Sequence, residues 1–164
     1  MTDKEYKTME KRIKIGVRMG LHIVREMITA TAMAVEYKDD CQWLTKKDRL
    51  SKVKPYQIER LNAAIWRIGE RLAGVFIHYS DDRQAVIDQI KEHLHPVKLR
   101  YIYERHLGHD TAWWTYRTRS LRGKGYGYSF TEREVFHINL AVKEISARLL
   151  SIELVPDDLD ETEE

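Results

Sequence analysis

The stretch Pro55-Tyr-Gln-Ile-Glu-Arg-Leu-Asn-Ala-Ala-Ile-Trp-Arg-Ile-Gly-Glu-Arg-Leu-Ala-Gly-Val-Phe-Ile-His-Tyr79 decides the fold. Its apolar residues Ile58, Leu61, Ile65, Ile68, Leu72, Val75 and Tyr79 recur at alternating steps of three and four, so a helix gathers them on one face. Pro55 stands where a first helical turn tolerates a missing N–H. The spacing predicts a helix of about six turns with one apolar stripe that needs a packing partner.

Further helices follow on the C-terminal side. Ser80-Asp81-Asp82 supplies an N-cap with acidic residues where the helix dipole favours them, and Val86, Ile90 and Leu94 carry the next helix toward Pro96, which ends it. Residues 97–107 give a shorter piece burying Leu99, Ile102 or Tyr103, and Leu107, closed by Gly108. Thr131-Glu132-Arg133-Glu134 is a capping box opening a helix whose stripe is Val135, Ile138, Val142, Ile145, Leu149 and Ile152, with Pro156 beyond its end.

On the N-terminal side, Tyr6, Met9, Ile13, Gly16, Gly20, Ile23, Met27, Ala30, Ala34 and Tyr37 form a stripe that predicts one long helix over residues 3–37. Gly16 and Gly20 would let another helix approach closely, and the long helix offers a surface for a homodimer. Charged residues dominate 38–54, which reads as a basic connector. The expectation is an all-α domain of about five helices over residues 1–155, followed by an acidic tail at 156–164, with an irregular segment at 109–130.

Composition narrows the function classes. At 164 residues with 43% apolar content the chain can bury a core, and its one cysteine, Cys41, excludes an intrachain disulfide or a thiolate zinc cluster. The first residues lack a signal-peptide pattern and no apolar run reaches membrane-spanning length, so a cytoplasmic protein without a membrane partner is expected. The formal charge of +2 is polarised: seven acids lie between Glu153 and Glu164, and the remainder carries +9 once they are set aside. Such separation suits a body that meets nucleic acid and a tail that screens it.

Residues 109–130 concentrate the candidate binding chemistry. Arg117, Arg119, Arg122 and Lys124 can neutralise phosphates, while Trp113, Trp114, Tyr116, Tyr126, Tyr128 and Phe130 can stack on unpaired bases. A short helix near Trp113, or a hairpin turning at 123–127, would present them. Lys124-Gly-Tyr-Gly-Tyr128 matches the first five positions of the RNA-recognition-motif signature, and the match stops at Ser129. The histidines His93, His95, His106 and His109 have a count compatible with zinc, but a two-residue separation puts His93 and His95 on different helix faces. They are read as solvated or hydrogen-bonded near helix ends, and neither metal nor cofactor is expected. No Gly-rich phosphate loop, nucleophile elbow or helical His-Glu-x-x-His occurs.

Two resemblances add to this reading. Residues 86–150 resemble small phage transcription regulators of the RinA and ArpU type, through Leu99-Arg100-Tyr101-Ile102, Trp113-Trp114, Tyr128-Ser129 and Val135-Phe136-His137-Ile138-Asn139-Leu140-Ala141. The resemblance implies a helix-turn-helix whose last helix enters the major groove with Thr131, Arg133 and His137 near base edges. Arg100 and His106 are spaced similarly to the paired arginine and histidine of HEPN-class ribonucleases, as are Arg71 and His78. The expected function is a non-enzymatic, phage-type regulator that binds nucleic acid through 113–128 and the C-terminal helix. The competing expectations are an inhibitor of a host nucleic-acid-handling enzyme, anti-CRISPR in the broad sense, with exposed aromatics anchoring a protein interface, and a HEPN-like ribonuclease.

Overall fold

The computed structural model describes residues 12–37, 53–118 and 129–157. In chain order these form β1 (Ile13–Gly16), α1 (Val17–Met27), α2 (Ala30–Tyr37), α3 (Pro55–Ala73), α4 (Arg83–His93), α5 (Leu99–Tyr101) running into a π-helical turn (Ile102–His106), α6 (Thr111–Thr118), α7 (Glu132–Ser151) and β2 (Ile152–Val155). The protein is mostly helical, as expected, with one short strand pair.

The centre is the pairing of α3 with α7. Leu61, Ile65, Ile68 and Leu72 of α3 and Ile138, Val142, Ile145 and Leu149 of α7 are all buried, so the two stripes read from the sequence face a shared core. The helices run antiparallel, and an asparagine ties the chain together at each end. Asn62 accepts from the Leu154 N–H at 2.7 Å and donates to its carbonyl at 3.0 Å. Asn139 does the same for Ile77, at 2.8 and 2.9 Å. Each amide substitutes for a missing backbone partner on an extended segment, satisfying groups that would be costly to bury unpaired.

The long N-terminal helix is corrected in two places. Residues 13–16 are a strand, pairing in parallel with β2 so that Ile13 lies opposite Ile152 and Gly16 opposite Val155. A second break falls at Ile28–Thr29. Ile28 bridges Val97, Lys98 N–H donates to the Met27 carbonyl at 2.8 Å, and Thr29 N–H donates to the Pro96 carbonyl at 2.9 Å. Thr29 then caps α2 by accepting from the Ala32 N–H at 3.1 Å. Ile13 and Gly16 satisfied the helical period while belonging to a strand, because tertiary pairing outweighs weak local propensity. The small side of α1 serves a strand rather than a helix: a Cβ on Gly20 would run into the Leu154 side chain.

α3 is also shorter than its stripe. It ends at Ala73, and 74–79 continue without helical structure, burying Ile77 while Phe76 and Tyr79 face solvent. Three arginines of α3 fasten α2: Arg60 donates to the Tyr37 carbonyl at 2.8 Å, and Arg67 and Arg71 both engage Glu36, which is 8% exposed. Downstream, Asp82 caps α4 through the Gln84 N–H at 3.0 Å. In the π-helical turn the Leu107 N–H reaches back to the Ile102 carbonyl at 3.2 Å, and Gly108, at φ 67°, takes the left-handed conformation that ends it. The Thr131–Glu134 capping box is present, and Ile152 passes from the predicted stripe into β2. Among the described residues, no helix is long and apolar enough to cross a membrane.

Candidate functional site

The expected binding residues divide into three groups. Arg119, Arg122, Lys124, Tyr126 and Tyr128 lie outside the described residues. Trp114 and Arg117 are engaged within the fold. Trp114 is 7% exposed, with its ring 5.4 Å from Tyr103 and 5.8 Å from Phe130, because the side of α6 that carries it packs on the π-helical turn. Arg117 pairs with Glu134 at 3.0 Å, both side chains being 16% exposed, and donates to the Ser129 carbonyl. It also lies over Trp113, whose other ring contacts include a parallel stack on His109 at 4.0 Å. Among the described residues Tyr116 and Arg133 are exposed and Trp113 and His137 half-buried, Trp113 and Tyr116 on α6 and Arg133 and His137 on α7.

The recognition helix implied by the resemblance is α7. Its inner face is packed along α3, and the Thr131 hydroxyl is occupied as a cap, accepting from the Glu134 N–H at 3.1 Å. Its outer face near the N-terminus carries Glu132, Arg133, Phe136 and Leu140, so it is more apolar than basic. The arginine and histidine of the ribonuclease-like spacing do not share a partner: Arg100 pairs with Glu104 at 2.7 Å and His106 with Glu144 at 2.6 Å. His95 Nδ1 is 2.9 Å from the Glu92 carbonyl. Among the described residues, no group of three or more His, Cys, Asp or Glu side chains could hold a metal ion.

What the fold does assemble is an apolar groove of about 530 Å³ between the end of α3, the segment 74–79 and the first three turns of α7. Leu72, Ile77 and Val135 form its buried floor. Around them Phe76, Tyr79, Phe136 and Leu140 are 60%, 45%, 59% and 42% exposed, four large apolar side chains gathered at one place. The Asn139 clamp on Ile77 fixes the register that brings the two sides together.

The groove has electrically distinct ends. At one, the Tyr79 hydroxyl donates to Asp81 at 2.9 Å. That hydrogen bond and the Asp81 charge, with burial and then Glu132 adding less, hold the Tyr79 phenol above its usual pKa. At the other end stands Lys143. The sequence does not disclose this site, because Val75 and Tyr79 fit the helical stripe of α3 as well as an extended segment. The available signal was Phe136 and Leu140, four apart and off the main stripe of α7.

No protein-family model matches this chain, and no curated protein or solved structure matches it either.

Proposed function

We propose that this chain is a protein-binding regulator that holds an amphipathic helix of a partner protein in the groove between α3, segment 74–79 and α7. The observation that carries the reading is the gathering of Phe76, Tyr79, Phe136 and Leu140 over one buried floor. Singly exposed apolar residues are ordinary, whereas a contiguous apolar surface bordered by charge is the usual mark of an interface. The stretch of α7 from Glu132 to Lys143 is about 17 Å long at 1.5 Å per residue, room for roughly three turns of a partner helix. Such a helix would insert apolar residues at i, i+3 or i+4, and i+7. The acidic end at Asp81 and Glu132 favours a lysine or arginine there, and Lys143 favours a carboxylate at the opposite end.

The test is selection from a displayed library of amphipathic helical peptides. Enriched sequences should carry that apolar spacing with a basic residue at one end. Their affinity for a Phe136→Asp variant should fall at least tenfold, and for Arg133→Ala it should stay within twofold. Phe136 is exposed, so the variant should keep the wild-type melting temperature. Enrichment that ignores Phe136 and Leu140 would refute the reading.

A further inference from the structure

Two groups stand out among the described cations. Arg60, Arg67, Arg71, Arg83 and Arg117 hold the fold through main-chain carbonyls or shielded carboxylates. Six others, Lys14, Arg18, Arg25, Lys98, Arg100 and Arg105, line two depressions of about 630 and 580 Å³ that share His22. The carboxylates in these linings are Glu26, Glu104 and Asp157, so the strip is net positive. Ion pairs within it are exposed: Arg100 with Glu104 at 73% and 42%, and Arg105 with Glu26 at 53% and 42%, the same Glu26 lying 3.5 Å from His22 Nε2. Exposed pairs of this type contribute little to stability, so an incoming phosphate can take over the guanidinium without unfolding anything.

We infer that this strip, running along α1 and across 98–105, binds the phosphodiester backbone of double-stranded nucleic acid without reading its sequence. Arg18 and Arg25 lie two turns apart on α1, about 10 Å along the axis. That distance spans about three base-pair steps, so the two ends of the strip meet different phosphates. A single strand is the poorer ligand, because it relies on aromatic platforms for its bases. Tyr101, the aromatic residue lining the strip, is 5% exposed and has Arg105 over its ring at 4.7 Å. The inference is independent of the apolar groove and uses none of its residues.

The experiment measures binding of random-sequence 20-base-pair DNA and RNA duplexes, and of the single strands, by fluorescence anisotropy as a function of salt. Each lost duplex-phosphate contact reduces the slope of log affinity against log salt by about 0.9. A variant combining Arg18→Gln, Lys98→Gln and Arg100→Gln should therefore be shallower than wild type by about 2–3 units for at least one duplex. The comparison of DNA with RNA identifies the backbone preferred. All three positions are exposed, so circular dichroism should be unchanged, and Arg18→Gln with Lys98→Gln leaves the Arg100–Glu104 pair intact should the triple variant unfold. Arg133→Gln, and separately Arg119→Gln with Arg122→Gln and Lys124→Gln, should keep the wild-type response to the strip substitutions. A wild-type slope in the strip variants would overturn the inference. So would tighter binding of single strands than of either duplex, or no salt-sensitive binding at 50 mM salt.

Discussion

Asn139→Ala removes both hydrogen bonds by which α7 holds the segment after α3, and its cost follows from what is left behind. The Ile77 N–H and carbonyl lose their partners at 2.8 and 2.9 Å, on a residue with 0% exposure. A hydrogen bond contributes about 0.5–1.5 kcal/mol net, and a buried group left unsatisfied costs about 1–3 kcal/mol. The carbonyl is the more tolerant of the two, so the expected loss is about 2–4 kcal/mol. With a urea m-value of about 2 kcal/mol/M, the unfolding midpoint should drop by about 1–2 M with little change in slope. His137→Ala, on the same helix and half-exposed, should stay within about 0.5 kcal/mol. The clamp also sets the neighbours of Ile77, so peptide binding in the groove should weaken beyond what the stability loss alone explains. A midpoint within about 0.2 M of wild type would refute the argument that Asn139 substitutes for a backbone partner.

Arg117→Ala should lower stability by about 1–3 kcal/mol, since it removes the partner charge of Glu134, leaving that carboxylate only its capping bond from the Thr131 N–H, and uncovers Trp113, and thermal unfolding should show a melting point several degrees lower, with Arg133→Ala unchanged. Gly20→Val should cost about 1–3 kcal/mol through collision with Leu154, and a melting curve equal to wild type would mean that β2 is not seated there. Tyr79 should titrate above the ordinary phenol in a Cζ chemical-shift titration and return toward it in Asp81→Asn. The sign follows from linkage: a folded pKa above the unfolded one, near 10, gives a contribution that is present below pH 10 and lost as pH rises through the folded value.

Helical content and the α3–α7 core were legible because Ile58 to Leu72 and Val135 to Leu149 repeat over many turns, so each stripe averages over accidents at single positions. The strands were not. β1 is four residues long, Ile13–Gly16, and a four-residue segment fits a helical or an extended period equally well. Its partner Ile152–Val155 is remote in sequence, so the pairing that decides the matter leaves no local trace. The break at Thr29 has the same origin, as it is stabilised by carbonyl and amide groups of Pro96 and Lys98, nearly seventy residues away.

Binding surfaces pose a harder problem, because periodicity sorts residues into core and solvent and has no third class. The chemistry of Trp113 and Trp114 groups them with the neighbouring cations, yet the fold uses Trp114 as core and Trp113 as the platform under Arg117. Phe136 and Leu140 are conspicuous only once Val135 and Ile138 are known to face α3, since a helix has one apolar side to spare only after the other is occupied. Phe76 becomes part of the same surface only because α3 stops at Ala73; had the helix continued through Tyr79, Phe76 and Ile77 would have stood on adjacent helical faces instead of opposite sides of an extended segment. The groove thus depends on two facts that no local pattern carries, the end of one helix and the hydrogen-bonded register of another against it.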